Sequence, residues 1–295
     1  MPSLRRLVVT VSLASASFLA ASAAEAGPTS YPAGALHSPM SASVVSKLRS
    51  VLASSPGKRD VFVKVGDSNT ANSTFLNCLA ASEPKMGAHL ELDETRRFFG
   101  VQKVDGQKSA FNRTSLSAKI GWLAGHVLGG APSFLDQEIK AVKPAFAVVM
   151  LGTNDNRPVG LPIFTTKLAE VLDRTLAAGV IPLVSTIPPR DDSAVAEARV
   201  VEINASIRAL AESRQVPLMD LYTALLPLPQ HGLVRDGIHL STVWENGAPR
   251  ACRFTPDGLQ KGMNVRNLLV LAALDRARRF VIEQGTPEAE PVPGA

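Results

Sequence analysis

The segment DVFVKVGDSNTANSTF, residues 60–75, carries an apolar, β-branched run straight into Gly66-Asp67-Ser68. A serine hydroxyl is a poor nucleophile at neutral pH, so Ser68 does chemistry only if a base takes its proton. That base needs a partner to fix its tautomer, and the oxygen that gains charge needs hydrogen-bond donors. Asp67, Ser68 and Asn69 are also the residue types that cap a helix, so the local sequence alone admits a purely structural reading. What the rest of the chain supplies decides between the two.

Five histidines are available as the base. His37 lies in a Pro/Gly/Ser-rich arm, His89 in a charged loop and His126 in a helical pattern, and each reads as structural or solvated. His231 and His239 fall in PLPQHGLVRDGIHLS. Asp236 stands three residues before His239, a distance at which a turn can aim a carboxylate at the imidazole. His231 has no carboxylate so close in sequence and is the second choice. The third group is in VVMLGTNDNRP, residues 148–158, where an apolar run ends at Gly152 and Asn154 follows. An asparagine amide there can donate to a developing oxyanion without adding charge, although Gly, Thr, Asn and Asp are equally the residues of an ordinary polar turn.

These groups matter only if the fold brings them to one edge. Val61–Val65 reads as a short buried strand, with Thr70–Ala80 as the helix after it. Arg97–Val101 reads as a second strand and Ser117–Leu128 as a helix. Ala145–Leu151 is the clearest central strand; Thr166–Ala178 is a helix stopped by Gly179, and Val180–Thr186 another strand. A long helix over Ser193–Ser213, a short strand at Val216–Leu221 and a last helix from Val265 to Gln284 complete the pattern. Buried strands alternating with helices specify an α/β fold with a parallel sheet covered on both faces. Ser68, Asn154 and the Asp236–His239 pair then all follow strand exits, at the carboxyl edge where open α/β sheets bind ligands.

The ends read differently. Arg5 and Arg6 precede an apolar run from Leu7 to Ala21, and Ala24-Glu25-Ala26 has small-x-small form, so residues 1–26 are expected to be a secretory signal peptide cut after Ala26. The run is too short for a membrane anchor, which needs about 20 apolar residues. Stable membrane insertion is therefore not expected, and the mature protein is expected to be extracellular or periplasmic. Residues 27–55 read as a linker and an N-terminal helix over Ser41–Ala53, residues 56–285 as the catalytic domain, and residues 286–295 as a flexible tail.

A net charge of +5 without a Lys/Arg run interleaved with aromatics gives no case for nucleic-acid binding. Cys78 and Cys252, in a chain headed for an oxidising compartment, are expected to form one disulfide, with two buried thiols as the alternative. Neither has metal-type spacing to His. Sequons occur at Asn72, Asn112 and Asn204.

Gly66-Asp67-Ser68, GTND at 152–155 and DGIHLS at 236–241 resemble the first, third and fifth sequence blocks of the GDSL-type, or SGNH, hydrolase superfamily, in the same order. The resemblance covers about residues 60–285. It implies a flavodoxin-like three-layer α/β/α fold and cofactor-free hydrolysis of esters of lipids, sugars and other acyl compounds. Since no stretch reads as a long amphipathic lid helix, small-molecule or polysaccharide esters are the expected substrates. It further implies Ser68 as nucleophile, His239 as base, Asp236 as its orienting partner, and an oxyanion hole of Asn154 and the Ser68 N–H. Gly66, Asp67 and Gly152 would support these groups. The family's second block supplies another N–H, usually from a glycine. In FNRTSLSAKIG, residues 111–121, Ser115 falls at the expected place and Gly121 is the other candidate. Thr242–Arg253 is an insertion relative to the pattern, able to form a rim or lid; Trp244 within it reads as a packing residue, with substrate contact as the alternative. Two rival functions are a metal-dependent phosphoesterase using Asp67, Asn154, Asp155, Asp236 and His239, and a non-catalytic carbohydrate binder on the same scaffold. The first lacks a second His/Asp pair and would not need Ser68. The second leaves the Ser/Asn/Asp/His set without a purpose.

Overall fold

Every residue of PAFAVVM is buried, as a strand covered on both faces requires. A computed structural model describes residues 28–81, 84–158 and 160–289, so the expected signal peptide and the last residues of the tail lie outside the described residues. In chain order the elements are α1 (Ala42–Ala53), β1 (Lys58–Gly66), α2 (Ser68–Ala71), α3 (Asp93–Val101), β2 (Lys103–Asp105) and β3 (Lys108–Ser109). There follow α4 (Ala124–Val127), α5 (Phe134–Val142), β4 (Pro144–Met150), α6 (Gly160–Ala177), β5 (Ile181–Ser185) and α7 (Ala194–Ser213). The chain closes with β6 (Leu218–Met219), α8 (Leu221–Leu225), β7 (Trp244–Glu245), β8 (Ala248–Pro249) and α9 (Gly262–Ala277).

The central sheet has the order β1-β4-β5-β6, and all its pairings are parallel. Parallel neighbours need crossovers, and helices supply them on both faces. On one side α4 packs with α5 and α6, and α6 with α7; on the other α9 packs with α3 and α8. Members of both groups touch the sheet, which gives the three-layer α/β/α arrangement. Phe62, Phe99, Phe111 and Phe146 meet edge to face with ring centroids 5.2–6.0 Å apart, the arrangement the aromatic quadrupole favours.

Both edges of this sheet are finished by chain that is not regular strand. Beside β6, His37 bridges Met219 antiparallel, with Ser38 N donating to Leu218 O at 2.9 Å and Asp220 N to Leu36 O at 2.9 Å. The arm expected as a linker is thus docked on the sheet, and Ser41 caps α1, whose Val44, Val45, Leu48 and Leu52 are buried. The start of the expected tail is docked too, with Glu288 N donating to Met40 O at 2.9 Å. Beside β1, Ala118 makes one parallel bridge to Gly66.

Two expectations fail here for physical reasons. Arg97–Val101 is the end of helix α3, because Arg96 and Arg97 pair back to Asp93 three and four residues away and Thr95 and Phe99 share its buried face. The stretch from Ser117 up to α4 is irregular rather than helical, with turns on either side of the single bridge at Ala118, because Ser117 O and Lys119 N are used by Gly66. Gly66 has a steric role: a Cβ there would lie 2.2 Å from Thr70 Oγ1 and 2.6 Å from Met150 O, so only glycine lets α2 start this close to the sheet.

Candidate active site

β1 ends at Gly66 and the chain turns at once into α2, with Asp67 as N-cap accepting from Asn69 N at 3.0 Å. Ser68 is therefore the first helical residue, carried at the carboxyl edge of the sheet. Its N–H belongs to the first turn, where no intrahelical acceptor exists.

The loop after α8 folds back on itself: Leu233 bridges Leu240, Val234 N donates to His239 O at 2.8 Å, and Ser241 N to Gly232 O at 2.8 Å. Asp236 sits at the tip. Its Oδ1 accepts from Ile238 N at 2.8 Å and His239 N at 2.9 Å, and its Oδ2 lies 2.7 Å from His239 Nδ1. Burial works against the Asp236 charge, but those bonds and the adjacent imidazole outweigh it and hold the carboxyl below the usual carboxylate range. An ionised Asp236 accepting from Nδ1–H leaves Nε2 as the lone-pair nitrogen. Nε2 lies 3.0 Å from Ser68 Oγ. The fold thus brings Ser68 to the distant Asp236–His239 loop and joins the three into one continuous hydrogen-bonded relay.

Asn154 follows β4 and Gly152, which turns with φ of 127°. Its Nδ2 donates to Trp122 O at 3.0 Å, so one amide hydrogen is used and the other is free to donate elsewhere. Beside it, Asp155 accepts from Ala124 N at 3.1 Å, and burial pushes its carboxyl up to about 6. Both side chains therefore pin the 122–124 turn to the exit of β4.

Ser115 is not at this edge. Its hydroxyl lies 2.6 Å from Lys64 O and 3.0 Å from Glu138 Oε1, two residues below Gly66 on β1. The bridge between Gly66 and Ala118 is parallel, so the chain passes the end of β1 only after Ala118, on its way to Gly121. Gly121 has φ of 78° and open space where a Cβ would stand. Of the two second-block candidates, Ser115 thus lies short of the end of β1 and Gly121 follows it, an order set by strand register and not visible in residue types.

The other histidines are engaged elsewhere. His37 Nε2 lies 3.0 Å from Leu269 O, and burial drives its pKa down to about 4. His126 Nδ1 accepts from Leu123 N at 2.9 Å, and His89 lies 3.9 Å from Glu91. His231 does have a carboxylate, but from Asp191, 2.7 Å away and distant in sequence. Among the described residues no cluster of three or more His, Cys, Asp or Glu could hold a metal ion.

Arg266 was not anticipated. It lies on α9 with 1% of its surface exposed, donates to Asn69 O at 2.7 Å and Thr70 Oγ1 at 2.9 Å, and stacks on Phe75 with its guanidinium carbon 3.8 Å from the ring centroid. Burial pulls its pKa down to about 9, opposed by Asp67. Burial likewise pushes the Asp67 carboxyl up, opposed first by Arg266. The sign in the sequence was an arginine inside the mostly apolar helix MNVRNLLVLAAL.

Cys78 and Cys252 are joined in a disulfide, with Cα atoms 5.7 Å apart. It ties the segment after Ser68 to the segment after His239. Within the second segment β7 and β8 form a small hairpin, closed by Arg250 N to Val243 O at 2.7 Å and by Arg253 to Glu245 at 3.0 Å. Trp244 at its start is 68% exposed, so it is not the packing residue expected.

The model of the GDSL-like Lipase/Acylhydrolase family matches residues 65–243, more than half of the chain. No curated protein matches the chain. Among solved structures, a GDSL-like lipase from Bacteroides thetaiotaomicron is 15% identical, with 79% of this chain and 98% of that one covered and a TM-score of 0.43. An acetylxylan esterase from Geobacillus stearothermophilus is 14% identical, with 74% and 95% covered and a TM-score of 0.46.

Proposed function

The chain belongs to the GDSL-like lipase/acylhydrolase family, and on that premise we propose that it is a secreted serine esterase working through an acyl-enzyme. The substrates are carboxylic esters, either small acyl esters or acetylated carbohydrates. The observation that carries the reading is the relay Ser68 Oγ–His239 Nε2–Asp236, with separations of 3.0 and 2.7 Å.

In the first half-reaction Ser68 Oγ attacks the ester carbonyl as His239 Nε2 takes its proton. Asp236 stabilises the imidazolium without taking the proton itself. The carbonyl oxygen becomes an oxyanion facing the Ser68 N–H, the free Asn154 amide hydrogen and the Gly121–Trp122 turn. His239 then protonates the leaving alcohol. Water repeats the sequence on the acyl-serine, releasing the acid and restoring Ser68. No step needs a metal or cofactor.

The preference for small or sugar esters rests on the segment after His239, which forms the short β7–β8 hairpin and no amphipathic helix of the kind that covers lipid-binding sites. The arginine pair and apolar run before Ala26, together with the disulfide, support export. Among the described residues no helix is long and apolar enough to cross a membrane.

Mass spectrometry of the protein quenched during turnover of an aryl acetate tests the central step. An acetyl adduct on Ser68 that is absent from Ser68→Ala is expected; full turnover by Ser68→Ala refutes the mechanism. N-terminal sequencing of exported protein should begin at Gly27.

A further inference from the structure

Glu138, on α5, is completely buried. A buried carboxylate is stable only with its charge countered and its lone pairs used. Three donors do this, and all come from one short stretch. Arg113 forms an ion pair with Oε1, the Ser115 hydroxyl, whose one hydrogen is shared with Lys64 O at 2.6 Å, lies 3.0 Å from Oε1, and Leu116 N donates to Oε2 at 3.0 Å.

That stretch runs directly into the stand-in for an edge strand beside β1. A true strand would hold its register by a ladder of backbone bonds. Here the ladder is reduced to Gly66 N donating to Ser117 O at 3.1 Å and Lys119 N to Gly66 O at 3.2 Å. Side chains supplement it: Ser117 Oγ donates to Lys64 O at 3.1 Å, and Lys64 Nζ to Phe111 O at 3.0 Å. So short a pairing specifies register weakly, and a slip of one residue would reverse which groups face the site. Downstream of it lies the Gly121–Trp122 turn, held from the other side by Asn154 and Asp155.

We propose that Glu138 is a positioning residue: its carboxylate clamps residues 113–116 so that the Gly121–Trp122 turn is held in register at the Ser68 rim. The catalytic half of this statement rests on the esterase reading above; the clamping half does not. The chemistry calls for a carboxylate specifically, because two acceptor oxygens serve three donors. A glutamine has one acceptor oxygen, so its NH₂ must face either Arg113 or the Leu116 N–H. Glu138→Gln therefore keeps the shape and breaks the clamp.

The test combines amide hydrogen exchange with steady-state kinetics on Glu138→Gln. Exchange at Gly66 and Lys119 should quicken about tenfold or more, while β4 amides such as Val148 keep their protection. Turnover should fall about tenfold, less than the 10²–10³ for outright loss of an oxyanion donor, with KM within about twofold. Arg113→Met removes one of the three donors and should shift both readouts the same way by less, which keeps the test intact if the Glu138 variant folds poorly. Wild-type exchange at Gly66 and Lys119 in both variants overturns the clamp. Faster exchange with unchanged turnover overturns the link to catalysis. A wild-type chain that hydrolyses no ester refutes the esterase reading instead, and exchange still decides whether Glu138 holds the edge.

Discussion

Replacing Arg266 with methionine removes the cation beneath the nucleophile turn while keeping a long apolar side chain. Two charge-assisted hydrogen bonds go, to Asn69 O at 2.7 Å and Thr70 Oγ1 at 2.9 Å, along with the contact on Phe75. Asp67 stays behind, fully buried and without its main opposing charge. Hydrogen bonds to charged groups contribute about 1.5–3 kcal/mol each. Relief of guanidinium desolvation, visible in the fall of its pKa to about 9, offsets part of that. The balance is the loss typical of removing one member of a buried charged pair, about 3–5 kcal/mol. A domain with about 5–15 kcal/mol of total stability would lose a large share of it. Urea unfolding at pH 7.5 measures this, and the loss should shrink on acidification. The folded-state pKa of Asp67 is raised, so its protonated form is favoured in the fold below that pKa, and stability falls as pH rises through it. A protonated Asp67 needs no cation. Asp67→Asn with Arg266→Met keeps an N-cap and has no buried charge, so the double variant should be more stable than the single losses summed, by at least about 1 kcal/mol. A loss under about 1 kcal/mol in Arg266→Met, or strict additivity in the cycle, would refute the coupling.

Four further outcomes are expected. His239→Ala should cost about 10²–10⁴ in turnover for loss of the base, and Asn154→Ala about 10²–10³ with KM little changed, both read in steady-state hydrolysis of an aryl acetate. Replacing Cys78 and Cys252 with serine should lower unfolding free energy by about 2–4 kcal/mol in urea, because the bond closes a 174-residue separation in the unfolded chain. For Asp155, whose folded pKa is raised to about 6, stability is fully present below its unfolded pKa and is lost as pH rises through about 6; Asp155→Asn should remove that part of the melting-temperature profile between pH 4 and 7.5.

The strands that hold the site were legible because they are buried on both faces and the sequence shows it directly: Val61–Val65 lies within β1 and Ala145–Met150 within β4. The Asp236–His239 contact was legible because it is local, a turn three residues long. The Ser68–His239 contact was legible only indirectly, from both groups following strand exits in an α/β pattern. Arg97–Val101 misled because Arg-Phe-Phe-Gly-Val reads as apolar strand unless the Asp93 pairing in the preceding turn is weighed. The choice between Ser115 and Gly121 stayed open in the sequence because their positions depend on where a one-bridge pairing sets the chain beside Gly66. His231's partner, Asp191, lies across a loop contact that no local spacing announces.

Arg266 and Glu138 escaped notice for a shared reason that says something about how the rim is built. Each is a buried charge on a helix packed against the sheet, and each meets a neighbouring loop through partners distant in sequence: Asn69 and Thr70 for one, residues 113–116 for the other. Apolar packing alone would tolerate small slides of these loops, because it is non-directional. Buried ions do not tolerate them, since a displaced partner leaves a desolvated charge or an unmet donor. The nucleophile turn is fixed by Arg266 and the chain beside β1 by Glu138, while Asp236 fixes the imidazole against the serine. Catalysis by a preorganised relay needs the reacting groups held to fractions of an ångström. Directional, costly bonds at each strand exit supply that precision, and their cost to stability is carried by the apolar sheet beneath.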